Sequence, residues 1–282
     1  MRPSLLVLLL AGLFITPLAG CAEPAADPVG SEPDGESAAP ASYPGRYRVS
    51  GTVLENGEHG PRLCRGEAPD SLLPQCGGLD IVGWSWDGLD HEDQAETRWG
   101  SFEIVATFDG ERLTLVEPPQ SPTIQRPSPK PNLITPCPPP PGGWRVVDEA
   151  KATVNAYKEA ALLADAAPGA AGNWIDQNGG TNDPRRLVLN VRFTGDLAAP
   201  EARLRAIWGG ALCVSHAARS TVELNRIAAE LSVVPGILSA RVALPTNQVV
   251  ADVYVASDAR RAEVEARYGP GVVMLTGWLQ PA

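Results

Sequence analysis

Five carboxylates crowd the stretch between Trp86 and Trp99: Asp87, Asp90, Glu92, Asp93 and Glu96. Oxygen ligands on one loop are what a Ca²⁺ site uses, but the spacing does not follow the EF-hand pattern. A carboxylate pair can also run glycoside hydrolysis, which asks for a larger sugar groove than a small unit offers. Trp84, Trp86 and Trp99 flank the loop, and aromatic rings beside carboxylates suit a sugar or peptide site as well as a small core. The residues Asp87, Asp90, Glu92 and Asp93 are therefore the candidate ligand or cation loop, with a solvated acidic turn as the plainer reading. No resident metal and no cofactor are expected.

The usual general bases are scarce: His59, His91 and His216 are the only histidines. His216 follows Ser215 directly, and neighbours on a strand point to opposite faces, so they cannot form a hydrogen-bonded couple there. His59 sits in a glycine-rich loop and reads as solvated. No GxSxG elbow, phosphate-binding loop or dinucleotide-binding glycine pattern occurs. No catalytic residue is assigned, and the chain is expected not to be an enzyme.

The first residues carry an address. Met1-Arg2 is a short positive end, and Leu5 to Ile15 is an apolar run far shorter than the about 20 residues that span a bilayer. That length fits the core of a secretory signal. Leu18-Ala19-Gly20-Cys21 then resembles the lipobox of bacterial lipoproteins. The resemblance implies cleavage before Cys21, diacylglycerol and further acylation on Cys21, and attachment to the outer face of the cytoplasmic membrane. High use of Gly, Ala, Pro and Arg resembles exported actinobacterial proteins. Residues 1–20 are thus read as the signal. Residues 21–44 lack Lys and Arg and are rich in Ala, Pro and Ser, so they read as a disordered acidic tether.

With Cys21 lipidated, Cys64, Cys76, Cys137 and Cys213 remain. An even count in an oxidising compartment implies two disulfides, with three pairings open. Cys64–Cys76 and Cys137–Cys213 are favoured because each stays within one expected domain. A metal site built from Cys64, Cys76 and His59 lacks a CxxC spacing and a second histidine.

These side chains need elements to hold them. Residues 45–117 carry strand signals at Tyr47–Leu54, Leu79–Trp84, Ser101–Phe108 and Arg112–Val116, with Asp109-Gly110 as a hairpin turn. A small all-β barrel or sandwich is expected, and an oligonucleotide/oligosaccharide-binding-like barrel is one form of it. Residues 118–143 are punctuated by proline and end in Pro138 to Pro141, which predicts an extended spacer. Residues 144–282 alternate helix and strand. Helices are expected at Asp148–Ala164, Pro200–Trp208, from a capping box at Ser220/Glu223 to Pro235-Gly236, and at Ala259–Tyr268. Strands are expected at Asn173–Asp176, Leu187–Phe193, Ala211–Ser215, Leu238–Leu244, Val249–Val255 and Val272–Leu275.

The stretch Ser220 to Val255, with Trp174-Ile175-Asp176 and Val191 to Asp196 before it, resembles the ferredoxin-like pro-domains of alpha-lytic-type secreted proteases. The order of elements, strands alternating with helices and a hairpin in the middle, suggests an α+β sandwich with helices on one face of a mainly antiparallel sheet, and the resemblance implies a ferredoxin-like form of it. The fold class is thus a two-domain α+β protein. No protease follows, and no catalytic serine in a Gly-Asp-Ser-Gly context exists.

A net charge of −10 is the wrong sign for neutralising phosphates, so no nucleic-acid partner is expected. The function read from the sequence is a non-catalytic, membrane-tethered binding or accessory lipoprotein, monomeric, whose partner is an unknown protein or small ligand. The alternative is a pro-domain-like folding helper or inhibitor of a separate secreted protease.

Overall fold

Strand β1 (Tyr47–Glu55) buries Tyr47, Val49 and Val53 and exposes Arg48 and Ser50. This period-two pattern is what a strand with one wet face requires. The computed structural model describes residues 43–65, 75–122, 133–180 and 182–282. Residues 1–42, which include the stretch read as a signal, Cys21 and most of the stretch read as a tether, lie outside the described residues, as does part of the proline-rich stretch.

The β-rich part closes on itself. β1 pairs antiparallel with β2 (Arg62–Cys64), β2 with β3 (Gly78–Val82), and β3 runs parallel to β6 (Arg112–Leu115). β6 pairs with β5 (Thr97–Phe108), and β5 returns to β1 in register from Tyr47↔Ala106 to Glu55↔Arg98. The ring of pairings leaves β1, β2, β3, β5 and β6 without a free edge along these contacts. Its centre is filled by Val53, Leu63, Ile104 and Leu113, all fully buried. β4 (Glu92–Gln94) folds onto β5 as a hairpin.

The turn chemistry differs from expectation at two places. At Asp109-Gly110 only the glycine has positive φ (108°), so the type I′ mechanism does not operate. The Asp109 carboxylate instead accepts from the Glu111 and Arg112 amides at 2.9 and 2.8 Å, an Asx turn. Those bonds, the Arg112 amide first, hold its carboxyl below the usual range. Paired positive φ values occur at Ala95 and Glu96 (49° and 63°), between β4 and β5.

The C-terminal part corrects the expectation of one mainly antiparallel, ferredoxin-like sheet. It holds two three-stranded sheets, each with an antiparallel hairpin and a third, parallel strand. The first is built from α1 (Val154–Ala166), β7 (Ala170–Asp176), β8 (Val188–Phe193), α2 (Ala198–Ile207) and β9 (Ala211–His216). The second repeats that order with α3 (Thr221–Ser232), β10 (Ile237–Ala243), β11 (Gln248–Val253), α4 (Asp258–Tyr268) and β12 (Val273–Gly277). Each first helix starts at a hydroxyl cap, Thr153 or Ser220. Each is followed by Pro-Gly with positive φ at the glycine, 73° at Gly169 and 83° at Gly236. The chain therefore contains an internal structural duplication, helix–hairpin–helix–strand twice over.

The two cores are filled by different residues. In the first, α1 buries only Ala160 and Ala164, and Trp208, Phe193 and Leu204 supply the bulk. In the second, α3 buries Leu224, Ile227 and Leu231. Asp148 caps a single 3₁₀ turn, Glu149–Lys151, so α1 begins later than expected.

Contacts between the copies run through the β10–β11 turn. Arg192 donates to the Pro245 carbonyl at 3.0 Å, and the Asn247 amide exchanges two bonds with the Arg219 backbone at 2.9 and 2.8 Å. Gly172, at φ 105°, lies under Leu244, where an added Cβ would meet Leu244 Cδ2 at 2.6 Å. That close approach requires glycine.

The proline-rich stretch is docked where it is described. Leu133 accepts from the Trp174 indole at 3.1 Å. Thr135 donates its amide and hydroxyl to Asp176 at 2.8 and 2.9 Å. Cys137 is bonded to Cys213, and Cys137 and Trp144 pack on Val188, Ala211 and Cys213. This strap covers the sheet face turned away from α1 and α2. Cys64 is bonded to Cys76. Finally the chain end returns: Leu279 is buried in the ring core, and β13 (Gln280–Pro281) pairs with Tyr47 and Arg48 of β1. The described residues from Tyr43 onward belong to one compact unit.

Candidate functional site

The second sheet turns Val249, Ala251, Val253, Val273 and Leu275 toward α3 and α4. Strand alternation then places Ser239, Arg241, Val250, Asp252, Met274 and Thr276 on the opposite face. No strap covers this face among the described residues, and Ser239, Arg241, Met274 and Thr276 are exposed. At its end, beside the strand ring, lies a groove of about 440 Å³ lined by Arg65, Leu238, Ser239, Asp252, Thr276, Gly277 and Trp278.

Each wall has a reason to stay in place. Asp252 accepts from Ser239 Oγ at 2.6 Å and from Arg241 Nη1 at 3.0 Å, which orders the floor. Trp278 donates its amide to Val253 at 2.8 Å. Its ring lies 6.0 Å from that of Tyr254, which lies 5.3 Å from Phe108 in the ring core. Arg65 donates to the Leu238 carbonyl at 3.3 Å and makes no ion pair among the described residues. The groove thus offers an aromatic wall, two hydroxyls, a carboxylate and a guanidinium. No histidine enters it. Such a set can orient a ligand by hydrogen bonds and stacking.

The acidic loop is not drawn together into a ligand cage. Asp87 accepts from Ser85 Oγ at 2.8 Å. Asp93 pairs with Arg98 at 3.2 Å, and Glu92 and Asp93 lie exposed on β4. Asp90 precedes His91, whose ring lies 4.9 Å from that of Trp86. Among the described residues no group of three or more His, Cys, Asp or Glu side chains is placed to hold a metal ion. Trp84 and Trp86 turn inward instead. Their rings are 5.2 Å apart against Phe102, and the Trp86 indole donates to the Glu55 carboxylate.

The other candidates are dispersed. His216 is exposed at the end of β9, opposite Phe193. His59 sits with Nδ1 2.8 Å from the Gly60 carbonyl. The disulfide consumes the thiolates that a metal site at Cys64, Cys76 and His59 would need. The groove residues carried no motif: only a face assignment by period two, after the duplication is recognised, could have grouped Ser239, Asp252 and Thr276.

No protein-family model matches this chain, and no curated protein sequence matches it.

Proposed function

We propose that this chain is a lipid-anchored binding protein on the outer face of the cytoplasmic membrane, with no catalytic step of its own. Cys21 carries the lipid, an acidic tether links it to the folded unit, and the groove between Arg65 and Trp278 takes the ligand. In this reading the strand ring is a small barrel that serves as a wall for the site. The observation that carries the proposal is the groove's lining, in which the side chains of Arg65, Ser239, Asp252 and Thr276 converge beside the Trp278 ring.

The experiment uses the full-length chain expressed in a bacterial host that processes lipoproteins. Cys21→Ser is expected to abolish incorporation of labelled palmitate and to release the protein from the membrane fraction. A photoreactive residue at Thr276 is expected to trap a partner on intact cells that one at Leu162, exposed on α1, does not. Equal labelling from both positions, or palmitate retained without Cys21, overturns the reading.

A further inference from the structure

The duplication provides an internal template for what an open sheet face of this kind receives. Strand register sets the correspondence. Trp174 and Cys213 flank Asn190 on β8, and Arg241 and Met274 flank Val250 on β11. In the first copy these positions lie under the strap, with Trp174 7% and Cys213 1% exposed. In the second copy the counterpart of Cys213, Met274, is 46% exposed. One face is covered by a proline-punctuated chain; its counterpart exposes Ser239, Arg241, Met274 and Thr276 on the flanking strands, while Val250 between Arg241 and Met274 is 5% exposed.

We propose that the open face of β10, β11 and β12 binds an extended, proline-containing peptide of a partner protein, one that brings a carboxylate to Arg65. This rests on the binding reading above and names its ligand class. Three features carry it. The strap, with a bend at Cys137 and a turn from Pro140 to Gly143, shows that a proline-rich segment fits across the hairpin and parallel strand of this unit. A proline-rich chain loses little entropy on docking because it is already extended. Met274 supplies a soft, adaptable apolar contact at the crossing point, and Trp278 gives the aromatic wall such peptides use. The carboxylate follows from charge: Asp252 already receives Arg241, whereas Arg65 makes no ion pair among the described residues.

The test is a fluorescence-anisotropy titration of the full-length lipidated chain in detergent. The probe is a labelled synthetic peptide of residues 133–144 with Cys137→Ser, so that it cannot exchange into the disulfide, and with Leu133→Asp. Saturable binding is expected, weakened about tenfold or more by Met274→Glu, since a buried apolar contact is lost. Arg65→Ala is expected to weaken the acidic peptide about threefold and to leave the peptide retaining Leu133 unchanged. Replacing the peptide's prolines with glycine is expected to weaken it as well. Met274 is exposed, so Met274→Glu should melt like the parent, and that melting curve is the check on folding. Absence of saturable binding, or binding indifferent to both variants, overturns the proposal. Continued Thr276-specific trapping on cells in that case leaves the binding reading standing and assigns the groove a different ligand class; loss of both overturns both.

Discussion

Leu279 is carried by the last segment of the second copy yet is only 1% exposed within the core of the strand ring. The variant Leu279→Ala removes apolar volume at the seam that also carries Trp278 and the groove. A buried Leu→Ala change costs about 2–5 kcal/mol through lost transfer energy plus the cavity left behind. Leu279 packs among the buried side chains of β1, β2, β3, β5 and β6, so a value of about 3 kcal/mol is expected. For a unit of this size each kcal/mol lowers Tm by about 2–4 °C, giving a drop of about 6–12 °C. Differential scanning calorimetry of the folded chain reads this directly. Leu162→Ala is the control, because Leu162 is 71% exposed on α1 and should change stability by less than about 0.5 kcal/mol. A Tm for Leu279→Ala within error of the Leu162→Ala value refutes the claim that the chain end packs into the ring core.

Three further outcomes are expected. Cys137→Ser with Cys213→Ser should cost about 4.5 kcal/mol in the chain-entropy model, and should expose Trp174, seen as a red shift and iodide quenching of its fluorescence. Burial raises the Asp176 carboxyl pKa, but bonds from the Asn178 and Thr135 amides and the Thr135 hydroxyl outweigh it and hold the value below the usual range. A depressed folded-state pKa stabilises above the unfolded value of about 3.9 and is lost as pH falls through the folded one. Asp176→Asn should therefore be less stable at neutral pH, with the gap from the parent closing in acid on a pH series of denaturant melts. Glu96→Gly should raise stability by about 0.5 kcal/mol in chemical denaturation, since a positive φ strains a residue with a side chain and glycine relieves this, less its own entropy.

Much of the element pattern was legible because local signals agreed with tertiary demand. The alternation in Tyr47–Leu54, the Ser220 cap and the Pro235-Gly236 stop all reappear in the fold. The cysteine pairing was legible from counting and from which segments would share a core. The duplication was not, for a physical reason. What the two copies share is topology, and the residues filling their cores differ. Ala160 and Ala164 occupy in α1 the places that Ile227 and Leu231 occupy in α3, while Trp208 restores the missing bulk. The recurring Pro-Gly after a hydroxyl-capped helix was the surviving trace of the repeat, and repeats are best sought before elements are assigned. The strap was read as a spacer because proline excludes helix and central strand, yet that property equally suits an extended cover over a sheet. The Asp109-Gly110 turn shows that a dipeptide signal can locate a turn while its mechanism differs.

The first copy's strap also indicates how tightly the second face should hold a ligand. Ordering a dozen residues costs on the order of 10 kcal/mol or more before proline reduces it. Against that, the described strap shows bonds from Trp174 to Leu133 and from Thr135 to Asp176, with an apolar patch of Val188, Ala211 and Cys213 beneath Cys137 and Trp144. A typical hydrogen bond contributes about 1 kcal/mol net, so these contacts alone fall short of holding an extended segment firmly. The Cys137–Cys213 link makes the strap's return intramolecular and permanent. Met274 stands at the place of Cys213 in the second copy, so a peptide there has no covalent hold. Its residence must then be short and its exchange free. A tethered receptor that samples many passing chains would need that property, whereas a structural cover would not.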